Sequence, residues 1–224
     1  MAPTLYMLPA SPPCRAVVMT AKALGVEFVE KGIYFFRDDN VKKEFCKINP
    51  QHTIPTLVDE DGSVFWDSHA IMAYLVAKYA KNDSLYPQDI KKRAIVNQRL
   101  FFESSVIFFH MKNIACSILL DGKNFIESEE KEPLLESLKV LEKFLEDSEW
   151  MAGNSLTIAD YSLVSSIASV NNVIPIDPEK YPKLIAWFQK CKELPEYEVT
   201  RKGQEEGAAM LNARLNMSFG KKYQ

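Results

Sequence analysis

The chain has 224 residues, 47% hydrophobic and 25% charged, with a formal net charge of −3. This is the composition of a folded globular protein, and it fits neither intrinsic disorder nor a basic nucleic-acid binder. Its eight glycines form no Gly-x-Gly, which removes the dinucleotide fingerprint and the P-loop together with the nucleotide chemistries built on them. The cysteines Cys14, Cys46, Cys116 and Cys191 lie far apart, without a Cys-x-x-Cys or histidines at zinc spacing, so reduced, mostly buried thiols and no metal site are expected. The proline-broken start Met-Ala-Pro-Thr-Leu-Tyr-Met-Leu-Pro has no basic leader, and no apolar run reaches the ~18 residues of a membrane span. The expectation is a cytoplasmic protein.

Residues 4–8 read as a short apolar strand, and Ser11 opens a helix that runs to Leu24. Residues 26–29 and 32–36 suit a second strand after a tight connection. Residues 55–58 and 64–66, joined across Asp61-Gly62, make a hairpin. Residues 68–79 are helical again. The order predicts a compact α/β domain with a mixed sheet over residues 1–80. Residues 81–90 form a polar, proline-closed linker, and residues 91–224 an all-helical domain. Residues 90–120 are one long periodic segment, Leu135, Leu138, Leu141 and Leu145 recur at helical spacing, and residues 181–194 continue the pattern. Thr157-Ile-Ala-Asp160 is a capping box with a short carboxylate, so Asp160 reads as the cap of a buried helix rather than as a catalytic acid.

Three places could carry chemistry. Ser11-Pro12-Pro13-Cys14-Arg15 lies at a strand-to-helix junction, where the serine is either a plain cap or a hydroxyl donor to an anion held at the helix start. Gln51-His52-Thr53-Ile54-Pro55 precedes a strand; an Ile-Pro bond is trans by default, and His52 beside a turn is more often structural than a carboxylate ligand. Asp67-Ser68-His69 opens a helix, and a carboxylate beside a helix start can hold an ammonium and a carboxylate together, the pair borne by an amino acid's α-carbon.

Taken together, Pro9-Ala-Ser-Pro-Pro-Cys-Arg-Ala-Val, Asn49-Pro-Gln-His-Thr-Ile-Pro-Thr-Leu, Trp66-Asp-Ser-His-Ala-Ile, Ser84-Leu-Tyr-Pro and Leu156-Thr-Ile-Ala-Asp-Tyr-Ser resemble, in order and spacing, the cytosolic glutathione transferases, most closely the insect epsilon class and next the delta class. The resemblance implies the glutathione transferase fold, an α/β thioredoxin-like N-terminal domain followed by an all-α helical bundle. It implies glutathione as cosubstrate, with no permanently bound cofactor, and a homodimer. By resemblance Ser11 is the catalytic serine facing the glutathione thiolate. A thioredoxin would carry the first cysteine of Cys-x-x-Cys there, so disulfide chemistry is disfavoured. His52 matches a contact to the glycyl carboxylate, Ile54 the backbone partner of the cysteinyl unit before a cis Pro55, and Asp67 and Ser68 the γ-glutamyl clamp, with Thr53 and His69 counted among the glutathione-binding residues. Asn40 stands where some relatives carry histidine.

The second substrate is expected to be a hydrophobic electrophile. Pro9, Ala10, Pro13 and Phe35 lie near the serine in the family arrangement. Phe108, Met111, Lys112, Ala115 and Leu119 recur at helical spacing and read as core by periodicity alone; the resemblance makes them the pocket wall. Phe101, Phe102 and Phe109 are assigned to packing. Alternatives to detoxifying conjugation are sequestration of apolar ligands and a specialised role in ecdysteroid biosynthesis.

Overall fold

The structure is a computed structural model that describes residues 2–33 and 39–216. A four-stranded sheet in the order β2-β1-β3-β4 is built from β1 (Thr4–Met7), β2 (Val29–Gly32), β3 (Thr56–Val58) and β4 (Val64–Trp66). β1 runs parallel to β2, with Leu5 opposite Glu30, and antiparallel to β3, with Leu5 opposite Leu57; β3 and β4 form the hairpin. Along β1, Leu5 and Met7 are buried while Thr4 and Tyr6 are partly exposed, the alternation of a sheet with one face on the core.

Helix α1 (Pro12–Leu24) begins with prolines, whose missing N–H groups cost nothing in a first turn, and ends at Gly25 in the left-handed conformation, φ 69°. It returns the chain to β2, which is one strand at residues 29–32. The two flanking stretches expected from the sequence are displaced, and residues 34–36 lie outside the described residues. Helix α2 (Asp39–Ile48), not anticipated above, occupies the interval before the hairpin. Helix α3 (Ser68–Tyr79) follows β4.

Beyond the linker the chain is helical. The expected long helix is present, but α4 (Ile90–Phe102) passes into α5 (Phe108–Leu119) through a π turn at Glu103–Ile107. Helix α6 (Ser128–Phe144) starts earlier than the leucine spacing suggested, with Glu127 and Glu130 as a capping box and Pro133 inside it. Helices α7 (Ile158–Val173), α8 (Pro182–Lys192), α9 (Pro195–Glu198) and α10 (Arg201–Asn216) complete the described fold. Helix α7 is buried along nearly its whole length. Its cap is the expected one: Asp160 accepts from the Thr157 and Met151 N–H groups and from Trp187 Nε1.

One apolar cluster joins α5 to α8 and α10 around Ile114, Leu138, Val164 and Trp187. A second joins the sheet, α1 and α3 to Val96 and Leu100 of α4 and Ile158 and Ala159 of α7, so the sheet's core is completed by helices from the other half. The described cysteines are free, Cys14 and Cys191 buried and Cys46 and Cys116 half-buried. Of the phenylalanines assigned to packing, Phe102 meets Phe144 edge to face, whereas Phe101 and Phe109 are 67% and 52% exposed. They project from the outer side of the interrupted helix. No helix among the described residues is long and apolar enough to cross a membrane.

Candidate active site

Ser11 is the N-cap of α1, in extended backbone (φ −75°, ψ 124°), yet its hydroxyl makes no capping bond. A serine cap ordinarily accepts from the second or third helical N–H. Here Pro12 and Pro13 lack the first two N–H groups, and the third, of Cys14, is not taken up by the hydroxyl either. Its main chain is held firmly, with Ser11 N–H donating to the Leu8 carbonyl at 2.9 Å and the Ser11 carbonyl accepting from Arg15 N–H at 3.1 Å. The side chain lies by Cys14, whose thiol is driven up to about 11 by burial, against the opposing pull of the Leu8 N–H, the Ser11 hydroxyl and Arg15. Cys14 is therefore a neutral thiol at physiological pH and a weak acceptor, so any ionised sulfur brought to Ser11 wins its hydrogen bond.

The loop before β3 is organised by Asn49, which is fully buried. Its amide donates to the Thr53 carbonyl at 3.0 Å and to Thr56 Oγ1 at 2.9 Å, and its carbonyl accepts from Gln51 N–H at 2.9 Å. The scaffold holds His52 exposed in left-handed backbone, φ 46°, and the Ile54–Pro55 peptide in the cis form. The trans default from residue type does not hold; the family resemblance had implied cis. Thr53 and Ile54 are half-buried and Pro55 is buried.

Asp67 also has left-handed backbone, φ 69°. One carboxylate oxygen caps α3 by accepting from His69 N–H at 2.9 Å and Ala70 N–H at 3.3 Å, and the residue remains exposed. Ser68, the first residue of the helix, is buried. The His69 ring turns into the junction with the helical half. Its Nε2 stands 3.0 Å from Glu103 Oε2 and 2.8 Å from Ser162 Oγ, and Ser166 donates to the other Glu103 oxygen. The π turn, an element often found at functional positions, is what presents Glu103 there.

Among the residues expected to line the second-substrate pocket, Pro9, Ala10, Pro13, Phe108, Ala115 and Leu119 are half-buried and Lys112 is exposed. Met111 is 3% exposed and belongs to the helical core with Ile107, Ile114 and Ile118. Phe35 lies outside the described residues, as does the Asn40 side chain. Asn49, Arg15 and Glu103 escaped the sequence reading. Asn-Pro is a turn signal, and a carboxylate inside the apolar run Phe101-Phe102-Glu103 through Phe109 is the kind of local contradiction that marks a buried polar junction.

The family model for the glutathione S-transferase N-terminal domain matches residues 10–78, and that for the C-terminal domain residues 106–195. Glutathione S-transferase 1 of Manduca sexta is 46% identical over 87% of this chain and 89% of its own. An epsilon-class glutathione S-transferase from the housefly, Musca domestica, is 43% identical, with a TM-score of 0.91 over 95% of this chain and 98% of that one. A glutathione transferase homologue from Drosophila mojavensis, solved with bound glutathione, is equally similar, at 43% identity and a TM-score of 0.91 over 95% and 97%. Family models on both halves and relatives matched over nearly the whole length place this chain in the glutathione S-transferase family.

Proposed function

We propose that the protein joins the sulfur of glutathione to hydrophobic electrophiles, with Ser11 holding that sulfur as a thiolate. The observation that carries this reading is the Ser11 hydroxyl, fixed at the start of α1 and unused by the helix cap. A free thiol has a pKa of about 8.5 and is only a few per cent ionised near pH 7, and each unit of lowering takes ~1.4 kcal/mol in favour of the thiolate. Serine is too weak a base to take the proton, so its part is to donate to S⁻ while the proton leaves to water or to a glutathione carboxylate. One charge-assisted bond plus the helix dipole supplies about 2–3 kcal/mol, enough for two units. The thiolate then attacks the electrophilic carbon, forming a C–S bond as the carbon gives up its leaving group or a π pair.

The remaining roles are those the family resemblance implies, and the loop geometry is compatible with them. His52 meets the glycyl carboxylate, the Thr53–Ile54 backbone before Pro55 pairs with the cysteinyl unit, and Asp67 with the Ser68 hydroxyl and N–H takes the γ-glutamyl ammonium and carboxylate. His69 supports the clamp from the domain junction, and Asn40, whose side chain lies outside the described residues, is kept as a glutathione contact on the resemblance alone. Pro9, Ala10, Pro13, Phe108, Lys112, Ala115 and Leu119 border the electrophile, with Met111 behind them; Phe35, outside the described residues, is kept as a pocket residue on the resemblance alone. The chain works as a homodimer, for which the exposed apolar Ile95 and Phe101 on α4 supply contact surface.

The test is Ser11→Ala with 1-chloro-2,4-dinitrobenzene as electrophile. Turnover near pH 7 is expected to fall roughly twentyfold, as the thiolate fraction drops when the bound pKa returns from about 6.5 toward 8.5, while glutathione affinity stays close to wild type. Unchanged turnover at neutral pH rejects the assignment.

A further inference from the structure

The segment Pro9–Ala10–Ser11 links β1 to α1, and contacts from elsewhere in the chain converge on it. Arg15 Nη1 donates to the Ala10 carbonyl at 2.7 Å. Its Nη2 reaches α7, donating to the Ser165 carbonyl and to Ser169 Oγ, each at 2.7 Å. Arg15 is 3% exposed. Burial draws its pKa down to about 10, which still leaves it charged at neutral pH, and the acceptors named here are neutral. A buried cation bound in this way is costly unless its geometry is fully satisfied, so the Ala10 carbonyl is held tightly.

The second set of contacts comes from α10. Gly203 is buried against Pro9, and a Cβ at that position would stand 2.7 Å from the Pro9 carbonyl carbon and 2.8 Å from its Cβ, with the carbonyl oxygen nearer still. Gly207, one turn later, faces Ala10, and a Cβ there would stand 3.2 Å from the Ala10 oxygen and 3.3 Å from its Cβ. Both glycines lie inside a helix, where each costs about 1 kcal/mol relative to alanine. The close approach of α10 to the Pro9–Ala10 backbone is what requires them.

We infer that Arg15, Gly203 and Gly207 are positioning residues for Ser11: Arg15 holds the Ala10 carbonyl while the glycine face of α10 seats Pro9 and Ala10, so that the Ser11 hydroxyl is aimed before glutathione arrives. The inference rests on the reading of Ser11 as the thiolate's donor. Because such a bond is directional, displacing the loop by less than an ångström weakens it without touching the anchors of the glycyl and glutamyl ends.

The experiment compares Gly203→Ala, Gly207→Ala, Ser11→Ala and, as a control remote from the loop, Gly153→Ala, whose φ of 135° makes it strained in any packing. For each, the pKa of enzyme-bound glutathione is read from the ultraviolet absorbance of its thiolate, beside glutathione affinity, kcat/KM at neutral pH and melting temperature. Gly203→Ala is expected to raise the thiolate pKa by about one unit and to lower kcat/KM at neutral pH about threefold, the loss of thiolate that one unit brings from a bound pKa of about 6.5. Gly207→Ala should do the same to a smaller degree, both with near wild-type glutathione affinity. Gly153→Ala should lower the melting temperature and leave the pKa in place. If Gly203→Ala does not fold, the milder Gly207→Ala carries the test. Glycine variants that melt lower but keep the wild-type pKa, while Ser11→Ala raises it, overturn this inference alone. A wild-type pKa in Ser11→Ala overturns the reading of Ser11 and the inference with it.

Discussion

His52 and Asp67 both hold left-handed backbone, with φ of 46° and 69°, a conformation costing on the order of 1–2 kcal/mol for a residue with a side chain. Such strain survives where surroundings over-determine it, as the buried Asn49 does for the first loop. For His52 the cost brings an imidazole to the surface. His52→Gly is therefore expected to change stability by less than about 1 kcal/mol, relief of strain being offset by glycine's entropy. Titration calorimetry should nevertheless show weaker glutathione binding, and unaltered binding would reduce His52 to a turn residue. Cys14 makes a converse case. With its thiol raised to about 11 and Cys191 raised well above the usual range by burial, alkylation of the native protein near pH 8 should label Cys46 and Cys116 first, as mass spectrometry would show. That Ser11, Asp67 and Ser68 stand at helix starts and His52 at a turn was legible because each is a residue type with a known habit there; their proposed roles came from the family resemblance. Arg15, Asn49 and Glu103 were not legible, because their roles come from partners remote in sequence or from burial that no local pattern records.

At the scale of elements, what could be read followed from strong local signals. The Asp-Gly hairpin, the proline-started α1 and the Thr157–Asp160 box came through because each is written in adjacent residues. Helix α2 was missed although its apolar positions 41, 45 and 48 carry helical spacing; ten residues wedged between strands give periodicity little length to speak in. The start of α6 was misplaced because its cap is a glutamate, a residue type without the usual N-cap habit, so that only the leucine spacing marked the helix. The π turn was invisible, since one extra residue in a turn leaves an apolar pattern almost unchanged. The buried carboxylate of Asp160 ties α7 to the segment before it and to α8. Burial pushes its pKa up, and the Met151 and Thr157 N–H groups, Trp187 and the Thr157 hydroxyl pull against that. Asp160→Asn would turn an amide donor toward donors on at least one side. We expect a loss of about 2–4 kcal/mol, from one or two buried groups left unsatisfied, measurable by urea denaturation, with the bound-thiolate pKa unmoved.

For the whole molecule, neither half owns a complete core, since α4 and α7 supply Val96, Leu100, Ile158 and Ala159 to the cluster under the sheet. Unfolding is therefore expected as one cooperative transition, with calorimetric and van't Hoff enthalpies in agreement; two resolved transitions would contradict it. Acid should act through Asp59 among others. Burial alone would raise this carboxyl, but Lys78, Tyr74 and the Glu60 N–H outweigh it and hold it below the ordinary range. A depressed native pKa gives stability that is present above the unfolded value of about 3.9 and lost as pH falls through the native one. Asp59→Asn should accordingly melt lower than wild type at pH 7, with the difference closing as the pH is taken below about 4. The acceptors of Arg15 on α7 lie 150 and 154 residues downstream of it. During synthesis at about 5–20 residues per second, that interval lasts roughly 8–30 s. For at least that time a nascent chain carries Arg15 without its α7 acceptors, and the α10 glycines that seat Pro9 and Ala10 are made later still, so on the proposed reading the loop before Ser11 is set only late in translation.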